Sequence, residues 1–283
     1  MKLENKVVLI TGAGRGLGAM LAEQLSAQGA RLTLLDLDST TVEKVAAGLP
    51  GETLALAGNV ARLEDMETAV EKTVERFGRL DVLVANAGIT AAGTVEGMDP
   101  ECFCRVIEVN LIGVWNSFRS AIPALRATRG YLLGVCSLAA AIHSPLQAHY
   151  TASKAGVEAI ADCVRQEVAG DGIDVGLIYP TFAATDMMQE FHSDAAGKAL
   201  WGGNRGPFAM VTPERVVRAM LSAIRNRRRR VVVPWHMGAL VAAPGLFHGA
   251  LETMIRLYGG RRAVTDARRE EGLPPASKRQ RGS

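Results

Sequence analysis

Short runs of β-branched and leucine-rich residues alternate along the chain with longer amphipathic stretches. The runs predict strands over residues 6–11, 31–36, 53–57, 80–86, 131–137, 174–179 and 230–233. Helices are predicted between them, near 17–28, 41–47, 63–77, 100–125, 150–169 and 213–226. Strand and helix in strict alternation point to an α/β protein with a parallel sheet covered on both faces. Continuous apolar runs such as Val82-Leu83-Val84-Ala85 suit strands buried on both sides. Asp99-Pro100 reads as a helix N-cap followed by proline at the first helical position, and Thr212-Pro213 repeats that pattern. No repeat or linker interrupts residues 1–260, so one domain is expected there. Residues 261–283 are polar and arginine-rich with Pro274-Pro275, and are expected to form a flexible basic tail.

Composition narrows the function classes. The chain has 283 residues, of which 48% are hydrophobic and 22% charged, the balance of a globular protein with a sizeable core. Its net charge is +3, but residues 256–283 hold eight Lys or Arg against three Asp or Glu, which leaves the body close to neutral. A nucleic-acid surface built into the fold is therefore not expected. Cys102, Cys104, Cys136 and Cys163 show neither a disulfide framework nor a zinc-ligand spacing. With no secretory apolar segment ahead of the first strand, a cytoplasmic protein with reduced cysteines and no metal is expected.

The first strand runs into Thr11-Gly12-Ala13-Gly14-Arg15-Gly16-Leu17-Gly18. Glycines at 12, 16 and 18 let backbone approach a pyrophosphate and let the helix beginning at Leu17 pack close to the sheet. The N–H groups and positive dipole end of that helix would face the phosphates. Asp36 ends the second strand, 18 residues past Gly18, where a carboxylate accepts hydrogen bonds from ribose hydroxyls and repels a 2′-phosphate. That favours NAD. Arg15 argues for NADP, since a guanidinium in the turn can reach a 2′-phosphate; Asp36 carries more weight because its carboxylate would occupy the phosphate's own position.

About 140 residues downstream comes Tyr150-Thr151-Ala152-Ser153-Lys154. A tyrosine and a lysine four apart share one helix face, and an ammonium beside a phenol favours the phenolate over an ordinary pKa of about 10. A phenol tuned in this way exchanges a proton with a substrate oxygen near neutral pH.

With the glycine turn, Asn86-Ala87-Gly88, Ser137 and Tyr150/Lys154 in this order, the sequence resembles the short-chain dehydrogenase/reductase family over about residues 5–235. The resemblance implies a three-layer Rossmann fold around a seven-stranded parallel sheet. It implies that Asn86, Ala87 and Gly88 close the adenine and ribose side, with Asn59-Val60 beside the adenine. Asn110 matches an asparagine that holds a water in a proton relay, Ser137 a serine that bonds the substrate oxygen, and Lys154 a lysine that also binds the nicotinamide ribose. Pro180 and Thr185 match a segment whose threonine holds the carboxamide. The implied reaction is hydride transfer between NAD and a secondary alcohol or ketone, with a non-catalytic dinucleotide-binding regulator as the alternative.

Three positions depart from the family pattern. Asn59 stands for an aspartate, Thr181 for a glycine, and Cys136 for a serine. Met187, Met188, Phe191, Leu200, Trp201, Phe208 and Met210 make the stretch over 185–212 an apolar lid, which suits a small hydrophobic substrate such as a steroid, terpenoid, retinoid or long-chain alcohol. Leu246, Ala250, Leu251, Met254, Ile255 and Tyr258 fall on one stripe of the 235–258 extension. That stripe would cover the pocket, join a partner or rest on a membrane surface, and the five arginines of 225–230 form either an anionic-lipid patch or a solvated helix end. Apolar stripes on the helices over 100–125 (Phe103, Ile107, Leu111, Val114, Trp115, Phe118) and 150–169 (Val157, Ile160, Ala161, Val164, Val168) predict a homo-oligomer through them.

Overall fold

The computed structural model describes residues 1–181 and 210–274, with the side chain of Tyr258 excepted. Thr185 and the lid residues from Met187 to Phe208 lie outside the described residues. Seven parallel strands form one sheet: β1 (Val7–Thr11), β2 (Arg31–Asp36), β3 (Thr53–Ala57), β4 (Val82–Ala85), β5 (Tyr131–Val135), β6 (Asp174–Pro180) and β7 (Arg230–Val233). Their spatial order is β3-β2-β1-β4-β5-β6-β7. The chain works outward from β1 to β3, then crosses back to lay β4 on the other side of β1. Connections on the two sides of β1 therefore run in opposite directions, and a crevice opens at the carboxyl ends of β1 and β4.

The strands are buried on both faces, as their apolar runs require. Val8 and Ile10 join the core under α1 (Gly16–Ser26) and α7 (Pro213–Asn226), whereas Val7 and Leu9 join the core under α3 (Leu63–Phe77), α5 (Gly113–Thr128) and α6 (Ala148–Glu167). On α3 the inward residues are Met66, Ala69, Val70, Thr73 and Phe77, the i, i+3, i+4, i+7 spacing of a single helical face, and the helix stops at Gly78 in the left-handed region (φ 76°). Asp99 caps α4 (Pro100–Ile107) by accepting from the Glu101 N–H. Thr212 occupies the N-cap position of α7, but its side chain makes no capping bond.

Two sequence expectations need correction. The helix over 100–125 is interrupted by a π turn, Glu108–Ile112, between α4 and α5. The predicted flexible tail begins instead with helix α10 (Arg261–Glu270), which buries Ala263 and Ala267. The apolar stripe of the extension divides. On α9 (Pro244–Ile255), Leu251 and Ile255 pack on the core, whereas Leu246 is 82% exposed. The stripe on α6 goes largely into the protomer itself, since Val157, Ala161, Val164 and Val168 are all core residues. On the α4–α5 side Phe103, Ile112 and Trp115 remain exposed.

The arginine run is engaged with the protein. Arg227 donates to the carbonyls of Arg129, Gly130 and Gly172, and Arg230 pairs with Glu158 at 2.7 Å and Asp162 at 2.9 Å. Among the described residues no single helix is long and apolar enough to cross a membrane. The short helix α8 (Gly238–Ala242), with the turn before it, and α9 reach that composition only together, and they are bent by 110°.

The amino ends of β1 and β4 meet at Asp81. Its buried carboxylate accepts from the Val7 N–H (3.0 Å), Lys6 (2.9 Å) and both arms of Arg79 (2.9 and 2.7 Å). Burial alone would raise its pKa, but the bonds from Arg79, Val7 and Lys6 outweigh that and hold it below the ordinary 3.8. A carboxylate with a depressed pKa contributes stability above its ordinary pKa and loses it as pH falls through the lower, folded value. Replacing Asp81 with Ala is expected to cost about 2 kcal/mol at pH 7, most of it from the unpaired Val7 N–H and the lost charged hydrogen bonds. Urea titrations of both proteins from pH 7 down to pH 2 should show the difference shrinking below pH 4; a constant difference would exclude this account.

Candidate active site

A cleft of about 580 Å³ opens along the carboxyl ends of the strands. One end is built by the glycine turn. Gly12 (φ 63°) lies so close to the end of β4 that an added Cβ would stand 2.8 Å from the Ala87 Cα, and a Cβ on Gly18 would overlap the Gly12 carbonyl oxygen. Gly16 (φ 57°) opens α1 with nothing near its Cβ position, so backbone there faces open space. Asn86 ties this turn to β4. Its amide donates to the carbonyls of Thr11 (3.0 Å) and Gly12 (2.9 Å), while the hydroxyl of Thr11 accepts from the N–H groups of Asn86 and Ala87 (3.1 Å each).

Asp36 lies at the same end, its carboxylate accepting from the Gly14 N–H at 2.8 Å. Arg15, Leu17, Asn59, Val60, Ala87 and Gly88 also line the cleft. Val60 is fixed from behind by Asn116, a buried amide that donates to its carbonyl at 2.8 Å. The side-chain carbonyl of Asn59 accepts from the Ala61 N–H (3.0 Å), which leaves one lone pair for a ligand. A turn where Cβ atoms cannot fit, an open helix N-terminus and an acceptor at the end of β2 fit a dinucleotide.

The other end holds Ser137, Tyr150, Lys154, Pro180 and Thr181. Ser137 follows β5, accepts from the Ala139 N–H at 3.1 Å and hydrogen-bonds Tyr150. Tyr150 and Lys154 occupy successive turns of α6, as their spacing predicts. The Lys154 ammonium lies 5.6 Å from the centre of the Tyr150 ring and donates to the Val135 carbonyl at 2.8 Å.

The expected tuning of the phenol is not what this arrangement produces. Although Tyr150 as a whole is only partly buried, burial is the largest influence on its hydroxyl and pushes it up to about 12, with the Ser137 hydrogen bond acting the other way. Burial also lowers Lys154, which stands over the ring and bonds a carbonyl rather than the phenol oxygen. Tyr150 is thus a neutral acid at pH 7. Cys136 is buried, with its sulfur 3.3 Å from the Lys154 carbonyl and its thiol pushed by burial up to about 12, an unreactive core cysteine.

Asn110 does not line the cleft. It is fully buried in the π turn, where its side chain accepts from the Ile89 N–H (2.8 Å) and donates to the Ile89 carbonyl (2.9 Å) and the Ser153 hydroxyl (3.2 Å). Those bonds fix the segment after Gly88, where a Cβ would come 3.3 Å from the Asn110 side-chain oxygen and 3.6 Å from Lys154. Its side chain therefore positions a wall of the cleft.

A model of the short chain dehydrogenase family matches residues 6–196. The chain belongs to that family. The 3-oxoacyl-[acyl-carrier-protein] reductase of Thermotoga maritima is 35% identical to this short-chain dehydrogenase over 225 residues, 78% of this chain and 91% of that one. The meso-2,3-butanediol dehydrogenase of Serratia marcescens is 34% identical over 188 residues, 66% of this chain and 75% of that one. Among solved structures, the 3-ketoacyl-(acyl-carrier-protein) reductase from Brucella melitensis complexed with NADH superposes with a TM-score of 0.73 at 28% identity, covering 82% of this chain and 97% of that one. The short-chain dehydrogenase described here is accordingly an oxidoreductase that uses a nicotinamide cofactor.

Sequence reasoning missed several parts of this dehydrogenase's cleft. Ile89, Thr90, Val109, Leu138, Ile142, Ser144 and Gln147 line it. Thr11 had a visible signal, a hydroxyl closing an apolar strand immediately before the glycines. Asn116 and Gln147 had none, because their roles depend on loops brought together from distant parts of the chain. Thr181, which departs from the family's glycine, buries a hydroxyl that has no hydrogen-bond partner among the described residues, against the cleft beside Pro180.

Proposed function

We propose that this dehydrogenase transfers hydride between NAD(H) and a ketone or secondary alcohol on a hydrophobic chain, with a 3-oxoacyl group as the first substrate class to test. The observation that carries the reading is the convergence of Ser137, Tyr150 and Lys154 at one end of a cleft whose other end is the glycine turn. Two named relatives act on such carbons, one reducing a 3-oxoacyl group and the other oxidising a vicinal diol. Neither name carries a steroid, terpenoid or retinoid, and the lid on which those classes rested lies outside the described residues. Ile89, Val109, Leu138 and Ile142 offer an acyl chain apolar walls, and Gln147 and Ser144 offer polar ones.

When bound, the reduced cofactor supplies hydride to the carbonyl carbon. Tyr150 gives its phenolic proton to the carbonyl oxygen, and Ser137 donates a hydrogen bond to that same oxygen. The proton leaves Tyr150 as a phenolate, which the Lys154 ammonium beside the ring stabilises before solvent restores the proton. Below its pKa Tyr150 carries the proton that reduction needs, whereas oxidation needs the phenolate, whose fraction falls as pH falls.

Tyr150→Phe should lower ketone reduction by about 10²-fold or more while NADH affinity, read from cofactor fluorescence, stays constant. Unchanged turnover would sink the reading. With a hydroxyl near 12, kcat/KM for alcohol oxidation should climb by roughly tenfold per pH unit between pH 6 and 9, whereas reduction stays nearly level. A plateau in oxidation near pH 7 would contradict the neutral-acid assignment.

The preference for NAD rests on Asp36, whose carboxylate lines the cleft end that the glycine turn forms. Asp36→Ser should improve the NADPH-to-NADH ratio of kcat/KM by about tenfold, by removing a repulsive charge. A wild-type enzyme that already favours NADPH would reverse the assignment.

The exposed Phe103, Ile112 and Trp115 support a two-fold contact with a second copy through the α4–α5 side. Light scattering at micromolar concentration should give at least twice 30.1 kDa, and Trp115→Glu should reduce that mass. A wild-type monomer under those conditions would refute the contact.

A further inference from the structure

After β7 the chain returns to the cleft, and its far end meets a loop that lines it. The loop, residues 89–98, is held from one side by the catalytic region. Asn110 clamps Ile89, and the Ala91 carbonyl accepts from Gln147 at 2.9 Å and lies 3.0 Å from a ring nitrogen of His149. The Gly93 N–H donates to the Leu146 carbonyl at 3.1 Å. Gln147 is itself part of the cleft and immediately precedes α6, the helix of Tyr150 and Lys154.

Glu271 holds the loop from the other side. Its carboxylate accepts from the Thr94 N–H at 2.8 Å and from the Thr94 hydroxyl at 2.5 Å. Three residues earlier, Arg268 pairs with Glu96 at 2.7 Å. Gly97 leaves the room that the carboxylate fills, since a Cβ there would meet a Glu271 oxygen; one on Gly93 would stand 3.4 Å from the other oxygen. Glu271 is also the C-cap of α10, where the helix dipole disfavours a negative charge. The contact with Thr94 offsets that disadvantage. The same extension touches another part of the rim, where a ring nitrogen of His248 lies 3.2 Å from the Ala141 carbonyl, next to the lining residue Ile142.

We propose that Glu271 is a positioning residue for substrate: by fixing Thr94 it sets the 89–98 wall and so the shape of the cleft between Ile89, Thr90 and Gln147. The inference rests on the hydride-transfer reading and adds to it a residue far from the chemistry that governs which substrate fits. Cofactor binding does not depend on the latch, because the glycine turn, Asp36 and Asn86 are held independently of α10.

The test compares wild type, Glu271→Ala, Glu271→Gln and Thr94→Val using NADH and a series of ketones of increasing chain length. Glu271→Ala and Thr94→Val should raise substrate KM by about tenfold with kcat within twofold, and should change the ranking of chain lengths. Glu271→Gln keeps one acceptor oxygen for the Thr94 N–H and should recover part of the loss. NADH affinity should be the same in all four. Hydrogen exchange supplies a readout independent of turnover: amides of 89–98 should exchange faster in Glu271→Ala, with those of 12–18 unchanged. An unchanged KM series, or unchanged exchange across 89–98, overturns the inference and leaves hydride transfer standing. A wild-type chain that binds NADH and reduces no ketone overturns the reading beneath it.

Discussion

The contact between the carboxyl ends of β1 and β4 is the constraint on which the cleft depends. Backbone approaches backbone there more closely than any side chain permits, and the Asn86 amide bridges two carbonyls that would otherwise be left without donors. At the opposite ends of the same strands, Asp81 gathers Lys6, Arg79 and the Val7 N–H. The pair β1–β4 is thus fastened above and below by polar groups, and the apolar packing on both faces fills the space between. The crevice is a consequence of topology, because connections leaving β1 and β4 in opposite directions cannot both cover the gap.

Burial sets the chemical character of the catalytic end. A tyrosine and a lysine on one helix face suggest a phenolate held by an ammonium when only their spacing is considered. Removing both groups from water penalises both charged forms, and the Val135 carbonyl takes a hydrogen bond from the amine. What results is a phenol that holds its proton more firmly than in water, with a cation over its ring.

The strands were legible because parallel strands covered on both faces are continuous apolar runs, and the catalytic pair was legible because four-residue spacing on a helix fixes adjacency. The predicted strand ends overshot at Asn86 and Ser137, where the chain turns so that polar side chains can reach the cleft. The π turn at 108–112 left no trace, since one additional residue in a turn barely alters an amphipathic pattern. Helix α10 was read as a tail because arginines dominate it, and the two alanines it buries carry little hydrophobic signal. The resemblance gives Asn110 a water to hold, and its bonds to both backbone groups of Ile89 add a contact that the sequence does not display.

The bond between Thr94 and Glu271 joins positions 177 apart. Chain entropy makes that separation less costly than it sounds, because each doubling of a closed loop adds only about 0.6 kcal/mol. Its effect is on order in time. A chain emerging from its N-terminus completes the glycine turn, Ser137, Tyr150 and Lys154 long before Glu271 exists, so the groups that carry the chemistry precede the residue that braces the wall beside them.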